Sequence, residues 1–145
     1  MNESEEWVYR AVAPQFIDPS SGEIEWTVFR LRPDEEELSV YSAHVCSPRD
    51  VLQILIDRVL AILNSKSGAE RAKFAEWVER KGASVERRME LGWRVIRLPV
   101  SAFLDRGFEV GEADAEGHIG IRGSAEDFEE YGDALVEIAE IVTVD

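Results

Sequence analysis

The sequence predicts an α+β fold: a small, mostly antiparallel sheet, two main packing helices, and a charged helical hairpin inserted between them. Three observations carry this. Short apolar runs rich in β-branched and aromatic residues occur at 7–13, 24–45 and 93–122. Two longer amphipathic segments, 48–64 and 125–140, each follow a serine suited to capping a helix. Between them, residues 66–91 are dense in charge with only a narrow apolar stripe. At 145 residues the chain reads as a single domain over 1–145, and its 45% apolar content, with four Trp and six Phe, suits an aromatic-rich core.

Residues 1–6 are polar and expected to fray. Trp7–Ala13 is a strand with Arg10 as its single charge, which must point to solvent or be paired. Asp18-Pro19 and Ser20-Ser21-Gly22 mark a loop. Ile24–Leu31 is predicted as a strand ended by Pro33, and Leu38–Val45 as the next. Their short connection makes them an antiparallel pair. Ser47, Pro48 and Asp50 supply cap, first helical residue and reciprocal cap partner, so a helix runs from Pro48 to about Asn64. Val51, Leu52, Leu55, Ile56, Val59, Leu60, Ile62 and Leu63 give it a wide apolar face.

A second helix is expected from Ala69 to Lys81, closed by Gly82, with Phe74, Trp77 and Val78 as its stripe and Glu76→Arg80 as i,i+4 support. A short helix follows over Ala83–Leu91, and this pair should project from the body. Trp93–Leu98 alternates as a strand up to Pro99. Ser101–Arg106 makes one helical turn, Phe108–Val110 a short strand, Gly111–Gly117 an acidic turn, and His118–Arg122 a further strand. Ser124, with Asp127 three residues on, caps a helix from Ala125 to about Glu140, in which Gly132 costs roughly 1 kcal/mol relative to Ala. Ile141–Val144 is an edge strand or a packed tail.

Net charge is −14 and the predicted pI about 4.5, which argues against free nucleic acid and against an anionic membrane surface. The charge is uneven. Residues 1–65 carry 5 basic and 12 acidic residues, 66–104 carry 9 and 5, and 105–145 carry 2 and 13. Such asymmetry implies either internal complementarity or an acidic face for a basic partner. Cys46 is the single cysteine, so no intramolecular disulfide can form. No apolar run approaches the roughly 20 residues of a membrane span, and the acidic start is unlike a signal peptide. These features place the protein in a reducing, bacterial-type cytoplasm.

No metal or cofactor is expected. His44 and His118 lack ligand spacing, and neither a phosphate-binding glycine loop nor a Gly-x-Ser-x-Gly elbow is present. Cys46 precedes a helix N-terminus and reads either as an activated thiol or as a core residue. Phe74 and Trp77 beside basic residues read as a nucleic-acid stacking surface or as a helix's core stripe. The polar knot within Thr27–Tyr41 draws most attention. Arg30 and Arg32 alternate with Phe29 and Leu31, and Asp34–Glu37 follow at once. One reading is a self-paired turn. The other is a cleft in which Arg10, Arg30 or Arg32 grips a phosphate or carboxylate. His118, at a strand start after the acidic turn, reads as an acid or base, or as a locally bonded residue.

Tyr9-Arg10-x-Val12-x-Pro14-x-Phe16, then Phe29-Arg30…Asp34-Glu35…Leu38-Ser39-Val40-Tyr41, then His118-Ile119-Gly120-Ile121, resembles a pattern in small bacterial proteins of unknown function. The resemblance touches about half of the chain and departs from it between Asn64 and Gly92. It implies an accessory protein of mobile or defence islands, with no activity to carry over. A fainter likeness to compact ADP-ribosyltransferase-type toxins lies in the order Arg10, then Ser39 or Tyr41, then the helix capped by Ser47; their catalytic glutamate has no counterpart here.

Three functional expectations follow. The first is an acidic cytoplasmic interaction or regulatory protein that docks on a basic protein partner, as a toxin–antitoxin or phage-defence component does, through Glu126, Asp127, Glu129, Glu130 and Asp133. The second is a small ADP-ribosyltransferase-like or other anionic-ligand enzyme using an arginine-lined cleft of Arg10, Arg30, Arg32, Ser39, Tyr41 and His118. The third is a homo-oligomer held head to tail by opposite charges.

Overall fold

The computed structural model describes residues 6–145; the fraying expected for residues 1–6 falls, except for Glu6, outside them. Six strands form one antiparallel sheet: β1 (Trp7–Val12), β2 (Glu37–Ser42), β3 (Arg94–Pro99), β4 (Glu109–Val110), β5 (His118–Arg122) and β6 (Glu140–Val142). Their spatial order is β4-β5-β2-β1-β3-β6. Five helices accompany them: α1 (Pro48–Asn64), α2 (Gly68–Lys81), α3 (Val85–Glu90), α4 (Ser101–Leu104) and α5 (Ala125–Ile138). The fold is α+β. No helix of the described residues is long and apolar enough to cross a membrane.

The two-residue period of the strands splits their apolar residues between two layers. On one face, Val8, Val12, Leu38, Val40, Ile96 and Ile121 pack with Phe29, Phe103, Phe128 and Leu135 into the main core. On the other, Tyr9, Ala11, Tyr41 and Val95 meet Val51, Leu52 and Ile56 of α1. Both long helices start at complete capping boxes. Ser47 Oγ accepts from the Asp50 N–H at 3.1 Å and Asp50 Oδ2 from the Ser47 N–H at 2.8 Å. Ser124 and Asp127 repeat this at 3.0 and 3.3 Å.

The segment Ile24–Leu31 departs from its expected strand. It makes one bridge, Ile17 to Ile24, and then a 3-10 turn over Trp26–Phe29. A strand would send Val28 and Phe29 to opposite faces. The turn lets both be buried in the main core. β2 therefore pairs with β1 and β5 and not with the segment before it. The same turn explains Gly132. That residue is buried, and a Cβ there would stand 2.7 Å from Trp26 Cε3, so glycine lets α5 lie on the tryptophan.

The 66–91 segment is tied down more firmly than a projecting hairpin would be. Val78, Val85 and Arg88 are buried. The Glu76–Arg80 pair does not form among the described residues, while Lys66–Glu70 at 3.0 Å and Arg87–Glu90 at 3.2 Å do. Glu140–Val142 adds the edge strand to β3.

Candidate functional site at the β4–β5 end

Strand β5 begins immediately after the turn 114–117, and the turn's chemistry places His118. Asp114 Oδ1 accepts from the N–H groups of Glu116 at 2.9 Å and His118 at 3.0 Å. Gly117 has φ +91° and is buried, and Cys46 Sγ occupies the space 2.7 Å from where a Cβ would sit. Only glycine suits that position. Register then sets Tyr41 opposite His118 and Ser39 opposite Gly120.

His118 Nε2 lies 2.9 Å from Ser39 Oγ, and its Nδ1 lies 3.9 Å from Asp114 Oδ2. The imidazole meets the Tyr41 ring edge-on, with centroids 5.7 Å apart. In front of His118 opens a cleft of about 390 Å³ whose wall includes Asp114, Glu37, Glu109, Glu112 and Arg122. The Glu37 carboxylate lies over Gly120 and reaches Arg122 Nε at 3.5 Å. A side chain at 120 would displace it.

Four carboxylates, of Glu37, Glu109, Glu112 and Asp114, stand with one guanidinium, of Arg122, in the cleft wall. The His118 N–H holds the Asp114 carboxyl below its usual range, against a weaker opposing effect of desolvation. Burial pushes the Tyr41 phenol up, against the opposing pull of the Arg58 guanidinium, which stands 5.9 Å from the ring centroid. Burial also pushes the Cys46 thiol up, and Sγ donates to the Glu116 carbonyl at 3.0 Å, so Cys46 is a packed residue and not an activated nucleophile. Among the described residues, no three or more His, Cys, Asp or Glu side chains are grouped to hold a metal ion.

Of the six ligand candidates, the structure brings Ser39, Tyr41 and His118 together, sets Arg10 against the Ser39 main chain, and leaves Arg30 and Arg32 apart. β1 and β2 pair at Val8–Ser42 and Tyr9–Tyr41 and then part. Arg10 reaches across, its Nε donating to the Val28 carbonyl at 2.9 Å and its terminal nitrogen to the Ser39 carbonyl at 2.6 Å. Burial lowers its pKa to about 10, with nearby Glu35 pulling it back up. Arg30 is exposed and lies 4.9 Å from the centroid of the Trp26 ring. Arg32 is exposed and pairs with Glu35 at 3.3 Å, while Glu35 also accepts from the Arg32 N–H at 2.9 Å. Within the knot only Arg32 pairs with a neighbouring acid among the described residues, Glu37 turns to Arg122 instead, and none of the three arginines lines the β4–β5 cleft. The acid candidates Glu126, Asp127, Glu129, Glu130 and Asp133 are all exposed on α5, with Asp127 engaged in the cap.

Asp114 and Arg122 belong to this site although sequence reasoning passed over them, and Glu37, read there as part of the polar knot, lines it too. The signal for Asp114 was available: Asp followed by Gly117 and His118 is the chemistry of a side-chain-closed turn. No family model matches the chain, and neither a curated protein nor a solved structure matches it.

Proposed function

We propose that the protein is an acidic docking module for a basic protein partner, with the β4–β5 cleft and α5 as its contact surface. The distribution of ion pairs carries this reading. Of the thirteen Asp and Glu side chains in residues 105–145, only Asp114 and Glu140 stand within ion-pair reach of a cation among the described residues. Among the described residues, Arg97–Glu140, at 2.9 Å, is the one bridge between the basic block and this acidic third. Lys66 and Arg87 turn to acids of their own block. The charge asymmetry is therefore not cancelled internally. Carboxylates left facing one another repel, and a basic surface laid on them relieves that repulsion while steering encounter. The same field opposes polyanions. We place this pairing in a reducing cytoplasm, where a lone thiol persists. The resemblance to accessory proteins of defence islands fits a toxin–antitoxin or phage-defence subunit.

The test is capture from a native lysate by the full chain and by a Glu129→Lys, Glu130→Lys, Asp133→Lys variant, with native mass spectrometry of what is held. A stoichiometric basic protein should be captured by the parent chain at about 50 mM salt, lost toward about 500 mM as screening shortens to a few ångströms, and missed by the variant. Capture indifferent to both salt and charge reversal would end the reading.

A further inference from the structure

A second cleft, of about 330 Å³, has the opposite chemistry. It lies where the last turn of α2 and the Leu91–Trp93 stretch face Pro14 and Gln15. The indoles of Trp77 and Trp93 form its apolar wall, and Arg80 and Lys81 stand on its rim. No carboxylate lines it, on a chain of net charge −14. Among the described residues, neither Arg80 nor Lys81 has an acid within ion-pair reach; Lys81 Nζ instead stands 5.8 Å from the Trp77 centroid. Behind the wall lies a third cation. Arg88 is 3% exposed, donates through Nε to the Gly82 carbonyl at 3.0 Å, and stacks on Trp93 at 4.3 Å, again with no carboxylate in reach. Trp77 keeps 37% of its surface exposed beside these charges.

We propose that this cleft binds a mononucleotide, its base on the indoles, its phosphate between Arg80 and Lys81, and the Gln15 carboxamide on the polar edge of the base. Each part answers to one feature of the ligand. Indole faces accept a flat ring of any base. A guanidinium and an ammonium side by side suit one phosphate. A carboxamide offers both a donor and acceptors, which a simple aromatic acid would not use and a base does. The volume is that of a small-molecule pocket. The buried Arg88 adds positive potential, with no carboxylate at ion-pair distance among the described residues. The net charge of −14 sets the size limit, because further phosphates along a strand would run out over an acidic surface. The assignment does not rest on the docking reading, since it uses none of the same residues.

The test is calorimetry, with tryptophan fluorescence, of the full chain titrated with AMP, adenosine, inorganic phosphate and a ten-nucleotide oligouridylate. AMP should bind with quenching, and adenosine and phosphate each at least about tenfold more weakly, since each loses one half of the contact. Trp77→Ala, and separately Arg80→Glu with Lys81→Glu, should each weaken AMP about tenfold or more, with the far-ultraviolet spectrum showing both variants folded. These positions are exposed or on the rim, so the fold should survive; Gln15→Ala, expected to weaken AMP less than Trp77→Ala, gives a third check. Absence of AMP binding up to millimolar concentration would overturn the proposal. So would AMP binding unchanged in both variants, and so would an oligouridylate that binds more tightly than AMP.

Discussion

The two clefts are close in volume, about 390 and 330 Å³, and opposite in chemistry. One is walled by carboxylates with an imidazole at its back. The other is walled by indoles with cations on its rim. Each is nevertheless backed by an arginine that meets no carboxylate at ion-pair distance among the described residues and donates to main-chain carbonyls. Behind His118, Arg10 holds the carbonyls of Val28 and Ser39. Behind Trp93, Arg88 holds the carbonyl of Gly82. The comparison teaches that the basic block and the acidic third stay largely segregated in space, with Arg97–Glu140 the one ion pair between them among the described residues. It also separates two uses of arginine: satisfying backbone where strands or helices part, and presenting charge at a rim.

The sharpest way to test the first use is Arg10→Met. It removes the donor to two carbonyls at the opening between β1 and β2, each an orphaned acceptor worth 1–3 kcal/mol, so urea unfolding should show a loss of about 3 kcal/mol. Because the Ser39 carbonyl is one of the two, the Ser39–His118 contact should loosen with it, visible as a shift of the His118 ring signals in NMR. An unmoved midpoint would return Arg10 to the list of ligand residues.

Arg88→Met should cost less, about 1–2 kcal/mol. One carbonyl is orphaned rather than two, one stacking contact is lost, and the apolar replacement recovers part of the burial that a guanidinium without a carboxylate resists. Burial already lowers the Arg88 pKa, the mark of a cation held against its solvation preference. The same unfolding experiment ranks the two variants. A larger loss for Arg88 than for Arg10 would break the parallel and make the basic cleft's backing the firmer of the two.

The comparison also shows which parts of the molecule were legible in sequence. The two capped helices were, because Ser47–Asp50 and Ser124–Asp127 are local chemistry that no tertiary contact had to complete. The Trp26–Phe29 turn was not. Ile24, Trp26 and Val28 fit a two-residue period, but the demand that adjacent Val28 and Phe29 both enter the core outweighed it. At the acidic site, Ser39, Tyr41 and His118 were each singled out, yet their meeting depends on β2 pairing with β5 across 79 residues of sequence separation, which no local pattern encodes. Arg88 was invisible. In Val85-Glu86-Arg87-Arg88-Met89-Glu90 one arginine is exposed and its neighbour buried, and only the helix's docking decides which.

The smallest expected effect concerns Asp114, which distinguishes the clefts by pH because the basic one contains no carboxylate. The His118 N–H holds the Asp114 carboxyl below its ordinary value of 3.8. A carboxyl lowered on folding contributes stability in full above its unfolded pKa and loses it as pH falls through the lower folded value. Asp114→Asn keeps an oxygen acceptor for the turn but has no proton to gain. Thermal melts from pH 6 down to about 2.5 should therefore converge, with the parent more stable near neutrality by no more than about 2 °C and the difference vanishing toward the acid end. Other carboxylates titrate in both proteins and drop out of the difference. Melting curves that stay parallel through the acid range would mean that the Asp114 charge does not hold the turn, and that His118 is placed by the β2–β5 register and the Ser39 hydroxyl.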